Sequence, residues 1–193
     1  MEKVQYALWR SPAVGEDAFR AGLLADLMPA LQRLESVRGL RLAVVDSAVA
    51  PAADKRLANS GSLPDALLSV WLDDAWRRPQ PMTLVPELVA RSHAWLMCEA
   101  EPVVNSTQPP GGDARVPGFC QVALLQRPPR LNVAEWLDIW KGSHWRIAIA
   151  TQSTFGYRQN LVVCDLDGGG PALDAIVEED FPAEAMSSVH SFY

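Results

Sequence analysis

The stretch from Asn132 to Asn160, NVAEWLDIWKGSHWRIAIATQSTFGYRQN, places Trp136, Trp140 and His144 at intervals of four and then Tyr157 and Gln159 two apart. Residues four apart on an α-helix differ by about 40° around its axis, so the three rings form one stripe. Residues two apart on a strand share a face. A neutral imidazole titrates near physiological pH and can move a proton, while indole walls suit an aromatic or polycyclic ligand. His144 is the candidate catalytic acid or base, in a cavity roofed by Trp140 and floored by Tyr157 and Gln159, three candidate substrate-binding residues. The same spacing also suits a plain core, in which the tryptophans fill space and His144 hydrogen-bonds a carbonyl at its edge. His190, in SSVHSFY, is a further candidate for substrate binding, with Tyr193 one turn beyond; a surface histidine near a chain end is its other reading.

The run Glu178, Glu179 and Asp180 closes a later strand, and alternation sends Glu178 and Glu179 to opposite faces. One of them can orient His144 or accept a proton; a solvated strand end is the competing reading. Cys98, Cys120 and Cys164 lie 22 and 44 residues apart, so no CxxC pair exists to hold a metal or a cluster. They read as small buried thiols, and their odd number argues against a disulfide framework, in keeping with a reducing compartment. Neither a dinucleotide glycine fingerprint nor a Walker sequence is present, and DGGGP (Asp167 to Pro171) joins two strands as a hairpin turn and does not open a helix. The sequence therefore predicts no cofactor and no metal.

These residues must be positioned by a helix and two strands. Asn132 caps the helix and Glu135 stands three residues on, a capping box with Asn in the place of Ser or Thr. Gly142 interrupts it at a cost of about 1 kcal/mol relative to Ala, which implies close backbone approach, a bend or a short break before His144.

The arrangement occurs twice. VQYALW at Val4 is echoed by CQVALL at Cys120, an offset of 116, and GLRLAVVD at Gly39 is echoed by GYRQNLVVCD at Gly156, an offset of 117. Apolar residues at spacings of three and four between the anchors, from Phe19 to Leu31 and from Trp136 onward, predict a helix in each copy. Further apolar strands, Ala66 to Leu72 and Ala172 to Glu179, are followed by helix-like segments from Thr83 and from Pro182, the first of which takes in His93. In the first copy EAEPVVN supplies a final strand, while the second shows no closing strand before Tyr193. The fold class is α+β: two tandem ferredoxin-like units, β-α-β-β-α-β, forming a pseudo-dimeric α/β barrel. The boundaries are residues 1–105 for the first unit, 106–117 for a Pro- and Gly-rich linker and 118–193 for the second. The connection Ser47 to Pro64 is a binding element or a flexible insertion.

With 49% hydrophobic and 21% charged residues the chain has ample core material, and a net charge of −6 disfavours nucleic acid as a partner. No apolar run approaches the roughly 20 residues that span a bilayer, and MEKVQYALWR is not a signal segment. No membrane association and a cytoplasmic location are expected.

VALLQRPPRLNVAEWLDIWKGSHWRIA followed by FGYRQNLVV resembles the EthD-like proteins of the dimeric α/β-barrel superfamily. The likeness covers 118–193 and reaches the first copy only in outline, where Leu27 stands at the histidine position. It implies paired ferredoxin-like units around a pocket and a place in catabolism or secondary metabolism with the loose label oxidoreductase; a homodimer through exposed sheet edges is a separate expectation from the fold. The function expected is a cofactor-independent enzyme doing acid/base chemistry on a hydrophobic, aromatic or polyketide-like small molecule. The alternative is a non-catalytic ligand-binding or accessory module. Related barrels use a helix histidine to hold haem, but no second ligand or haem motif accompanies His144.

Overall fold

The computed structural model describes residues 1–59, 61–112 and 115–193. Residue 60 of the Ser47 to Pro64 connection and residues 113 and 114 of the 106–117 linker lie outside the described residues. The fold is α+β with antiparallel strand pairs, and the chain divides into two compact units, one of 1–98 with 163–170, the other of 99–162 with 171–193. The division differs from a cut at the linker because two strands, β4 (Val89–Val103) and β6 (Gly156–Asp165), each run from one unit into the other. No helix among the described residues is long and apolar enough to cross a membrane.

In the first unit β1 (Glu2–Arg10) lies between β3 (Ala66–Leu72) and β4, and β2 (Val37–Val44) pairs with the far side of β3. Val4, Tyr6 and Leu8 share a face with Val70, Leu68 and Ala66 across the β1–β3 pair and with Leu40, Leu42 and Val44 beyond them. A helix covers that face: α1 (Glu16–Gly22), a π-helical turn (Leu23–Leu27) and α2 (Met28–Gln32). Phe19, Leu23, Leu27 and Leu31 line its inner side and are all fully buried. The recurrence at four builds a closed apolar core, whose burial contributes roughly 25 cal/mol per Å² of surface removed from water.

Beyond β3 the expected long helix is absent. Pro86 removes the backbone donor a continuing helix would need, and Val85 before it has left helical geometry, so only a short 3₁₀ turn (Ala75–Arg77) and the single-turn α3 (Pro81–Leu84) precede β4. His93 therefore lies on β4 and not on a helix, and EAEPV is the end of that same strand. Its ring stacks obliquely on Trp95 at 4.6 Å, and Nε2 lies 2.7 Å from Oδ1 of Asp165. Asp165 also accepts from the backbone N–H groups of Asp167, Gly168 and Gly170 in the DGGGP turn. Burial acts to raise its carboxyl, but the N–H groups of Gly168 and Asp167, with His93, hold it below the usual range. Gly168 and Gly169 take φ of 73° and 69°, the left-handed values that a hairpin of this kind requires. The Ser47 to Pro64 connection begins with a 3₁₀ helix, Ser47–Lys55, capped by the Asp46 carboxylate on the Ala48 N–H.

In the second unit β7 (Ala175–Phe181) lies between β5 (Phe119–Leu125) and β6, with the 99–103 end of β4 next to β6 in the strand order. The covering helix runs through α4 (Val133–Leu137), a π-helical segment (Asp138–His144) and α5 (Trp145–Thr151). Its capping box is complete: the Asn132 side chain accepts from the Glu135 N–H at 3.0 Å and Glu135 accepts from the Asn132 N–H at 2.9 Å. After β7 come only a 3₁₀ turn (Ala183–Met186) and the single-turn α6 (Val189–Phe192), where a longer helix was expected from Pro182. The cysteines depart from the buried thiols expected of them: Cys98 and Cys164 are exposed and Cys120, on β5, is half-buried, and none of the three is in a disulfide.

The covering helices of the two units, with β1 and β2 against β5 and β6, align at a spacing of 117, and β3 aligns with β7 at 109. Phe19, Leu23, Leu27 and Leu31 correspond to Trp136, Trp140, His144 and Ala148, and each helix is widened to π geometry over the same turn. The QxAL echo at 116 is a slip of one residue. Val4, not Gln5, faces the first unit's helix, whereas Gln121 shares a strand face with Ala123 and Leu125, which pack in the second unit's core. Because side chains alternate along a strand, a one-residue slip exchanges the faces.

Candidate functional site

The rows of β5, β7 and β6 show what the second unit does with the shared plan. Leu125, Ala175 and Leu161 form one row, Ala123, Val177 and Gln159 the next, and Gln121, Glu179 and Tyr157 the last. The row that corresponds to this last one in the first unit is Val4, Val70 and Leu40, wholly apolar. On the helix above, buried Leu27 is replaced by exposed His144. Polar residues thus occupy the end of the sheet where the other unit has a sealed core.

A cleft of about 350 Å³ opens there, within the size range of small-molecule sites. Its floor includes Gln121, Tyr157 and Glu179, with Ala123 and Val177 deeper in. Trp140, His144 and Ile147 contribute from the helix, Thr151 and Gln152 from its end, and Tyr193 from beyond α6. All of these belong to the second unit.

Trp136 and Trp140 are both buried and stack nearly parallel, with ring centroids 5.0 Å apart and 10° between planes. The π-helical widening displaces the usual backbone pairing, and side chains take up carbonyls along it. Gln159 Nε2 donates to the Trp140 carbonyl at 3.2 Å, the Ser143 hydroxyl to Ile139, and the Trp145 indole N–H to Lys141 at 2.9 Å. Such widened turns occur frequently at functional sites. Gly142 lies in this segment with only ordinary contact for an added Cβ, 3.6 Å from Asp138 Oδ1, so the break is the widening itself and not a close approach.

Glu179 is the most perturbed group of the cleft. It is 8% exposed, and burial pushes its carboxyl from an ordinary 4.5 up to about 7. Tyr157, directly opposite on β6, is pushed up to about 12 by burial and by the Glu179 charge. On the other face of β7 Glu178 is also buried, but Asn160 Nδ2 donates to its Oε1 at 3.1 Å. Asp180 lies on that face 3.4 Å from Arg158 Nη1, and Arg158 also pairs with Glu101 and reaches Glu99 at 4.0 Å. The acidic run therefore splits into one carboxyl in the cleft and two held by polar partners behind it.

Of the residues singled out in the sequence, Trp140, His144 and Tyr157 line the cleft together. Gln159 lies beneath them, buried and bonded to the helix backbone, where it positions Trp140 and does not itself line the cleft. His190 is exposed on α6, outside the lining, while its neighbour Tyr193 is within it. Sequence reasoning passed over Gln121, Thr151 and Gln152. A glutamine on the inward face of an apolar strand was the available signal for the first. No group of three or more His, Cys, Asp or Glu side chains among the described residues is placed to hold a metal ion. Comparison with protein-family models and with curated proteins finds no match to this chain.

Proposed function

We propose that this cleft is the active site of a cofactor-independent enzyme doing acid/base chemistry on a hydrophobic, aromatic or polyketide-like small molecule. The observation that carries the reading is a buried carboxyl in a ligand-sized cleft lined also by Trp140, flanked in its sheet row by a tyrosine and a glutamine and pushed up to about 7 by burial. A carboxyl poised near neutral pH can give or take a proton with little bias, which efficient proton transfer requires. Glu179 transfers the proton at the substrate, and exposed His144 relays it to and from solvent. Gln121 and Tyr157, in the same row, hydrogen-bond the substrate oxygen that gains or loses charge.

The strand orders support tandem ferredoxin-like units, with the second helix of each reduced to single turns and the second unit without its own fourth strand among the described residues. On that reading the chain is an EthD-like protein in which only the second copy carries a site, and a homodimer through open strand edges remains part of the proposal. The likeness also contributes the loose label oxidoreductase, on which the acid/base reading does not depend.

Wild type, Glu179→Gln and His144→Ala, each checked for folding, are incubated with an extract of aromatic metabolites and followed by mass spectrometry. Consumption seen with wild type and lost with Glu179→Gln is the expected result. Equal consumption by all three removes both residues from the chemistry, and a retained but unaltered compound indicates the non-catalytic binding module.

A further inference from the structure

At four matched positions the second unit exchanges an apolar residue of the first for a polar one. Val4, Val70 and Leu40 give way to Gln121, Glu179 and Tyr157 across the sheet, and Leu27 to His144 on the helix. Glu179 is the one acidic side chain among the described residues that line the cleft. It is more than nine-tenths buried and shares the helix-covered face with Val177, which packs in the core. Burial alone displaces its carboxyl, with no hydrogen bond or ion pair to another described residue to offset it. Glu178 and Asp180, on the opposite face, have Asn160 and Arg158. Buried carboxylates are almost always paired, so an unpaired one that lines a cleft calls for a partner from outside the chain.

The surroundings of Glu179 decide the charge of that partner. Among the described residues that line the cleft there is no lysine or arginine, and the other titratable side chains are His144 from the helix, Tyr157 from β6 and Tyr193. Lys141 sits over the Trp140 ring at 5.9 Å and Arg146 over the Trp145 ring at 5.1 Å, and neither is part of the lining. An anionic ligand would meet Glu179 with nothing to balance either charge, and a neutral one would leave the carboxyl as burial has it. An ammonium supplies both the opposite charge and N–H donors for a carboxylate that can only accept. Trp140, Tyr157 and Tyr193, with Ala123 and Val177, offer an aromatic and apolar wall for the rest of such a molecule. We propose that the cleft takes a protonated arylalkylamine, its ammonium docked on the Glu179 carboxylate and its ring among Trp140, Tyr157 and Tyr193. This inference rests on the acid/base reading of the cleft and names its substrate class; the ion pair also sets an exchangeable N–H against the carboxyl.

Three single-ring probes of similar size separate the charges: phenethylamine as the cation, phenethyl alcohol as the neutral molecule and hydrocinnamate as the anion. Dissociation constants are measured by calorimetry at mildly alkaline and mildly acidic pH for wild type and Glu179→Gln, with folding checked by circular dichroism. At the higher pH phenethylamine is expected to bind wild type at least about tenfold tighter than either other probe, and Glu179→Gln to remove its advantage over the alcohol. The carboxyl, pushed up to about 7 by burial, must ionise to pair. Acidification therefore weakens the amine by at least about tenfold and leaves the alcohol unchanged. Any pH dependence that survives in Glu179→Gln belongs to His144. Should Glu179→Gln fail to fold, the wild-type ranking and its pH dependence decide. Equal or tighter binding of the alcohol or the acid at the higher pH, or an amine preference that Glu179→Gln retains, overturns the proposal while leaving the cleft a ligand site. Failure of all three to bind overturns it as well, and the acid/base reading is then decided by consumption of the metabolite extract alone.

Discussion

Tyr157 on β6 and Glu179 on β7 are direct cross-strand partners on the helix-covered face of the second unit's sheet, and burial shifts both toward their neutral forms. For Glu179 this couples stability to pH. Its folded value of about 7 lies above the ordinary 4.5, so between those limits the native state keeps a proton that the unfolded chain has released. Stability therefore falls as pH rises through this window, by about 3 kcal/mol in total, and is unaffected by Glu179 below it. Glu179→Gln removes the dependence. The difference in Tm between the variant and wild type, small at pH 4 and growing to its full value by about pH 8, is the measurement, and a constant difference would contradict the burial argument.

The exchange of Leu27 for His144 between equivalent positions makes a paired test. Leu27 is fully buried and His144 is exposed. Leu27→His places an imidazole in an apolar core and is expected to cost at least about 3 kcal/mol, whereas His144→Leu changes stability by less than about 0.5 kcal/mol. Urea denaturation of both variants measures the contrast.

Two glycines of the second unit respond oppositely to the same substitution. Gly118 has φ of 86°, and an added Cβ would sit 2.0 Å from the Phe181 carbonyl oxygen. Gly118→Ala is expected to destabilise by more than about 2 kcal/mol, since left-handed geometry and backbone collision add. Gly142→Ala meets only ordinary contact and is expected to stabilise by up to about 1 kcal/mol. Thermal unfolding of the two variants reads the difference in sign.

The Asn132 capping box starts the helix that carries Trp140 and His144. Asn132→Ala is expected to cost about 1 kcal/mol and to raise amide exchange in the first turn before any other part of that helix. Uniform exchange along the helix would show that the cap does not set its local stability.

What could be read in the sequence was what local chemistry determines. The capping box, the Trp136–Trp140 spacing and the apolar strands each follow from a few consecutive residues, and Leu27 already marked the first copy as lacking the histidine. The second helix of the first copy was misjudged because apolar residues from Thr83 onward suit a helix by spacing, while Pro86 interrupts one and the chain is committed to β4 from Val89. The 116 echo matched residue types without regard to face, and only the strand pairing revealed the slip. Glu179 was visible as one of two alternating carboxyls, yet which one enters a cleft depends on which sheet face the helix covers. That no basic side chain among the described residues pairs with the Glu179 carboxyl depends on packing and has no signature in the order of residues.

The passage of β4 and β6 from one unit into the other bears on how this chain could ever be divided. A fragment beginning at Gly118 would leave Arg158 without Glu99 and Glu101, and the remaining piece would lack the 163–170 turn that receives His93 and Arg78. Neither copy is self-sufficient as a length of sequence, because each completes itself with residues encoded inside the other. A cut anywhere in the 106–117 linker therefore parts side chains from the partners that hold them, and truncation is a harsher perturbation than any single substitution.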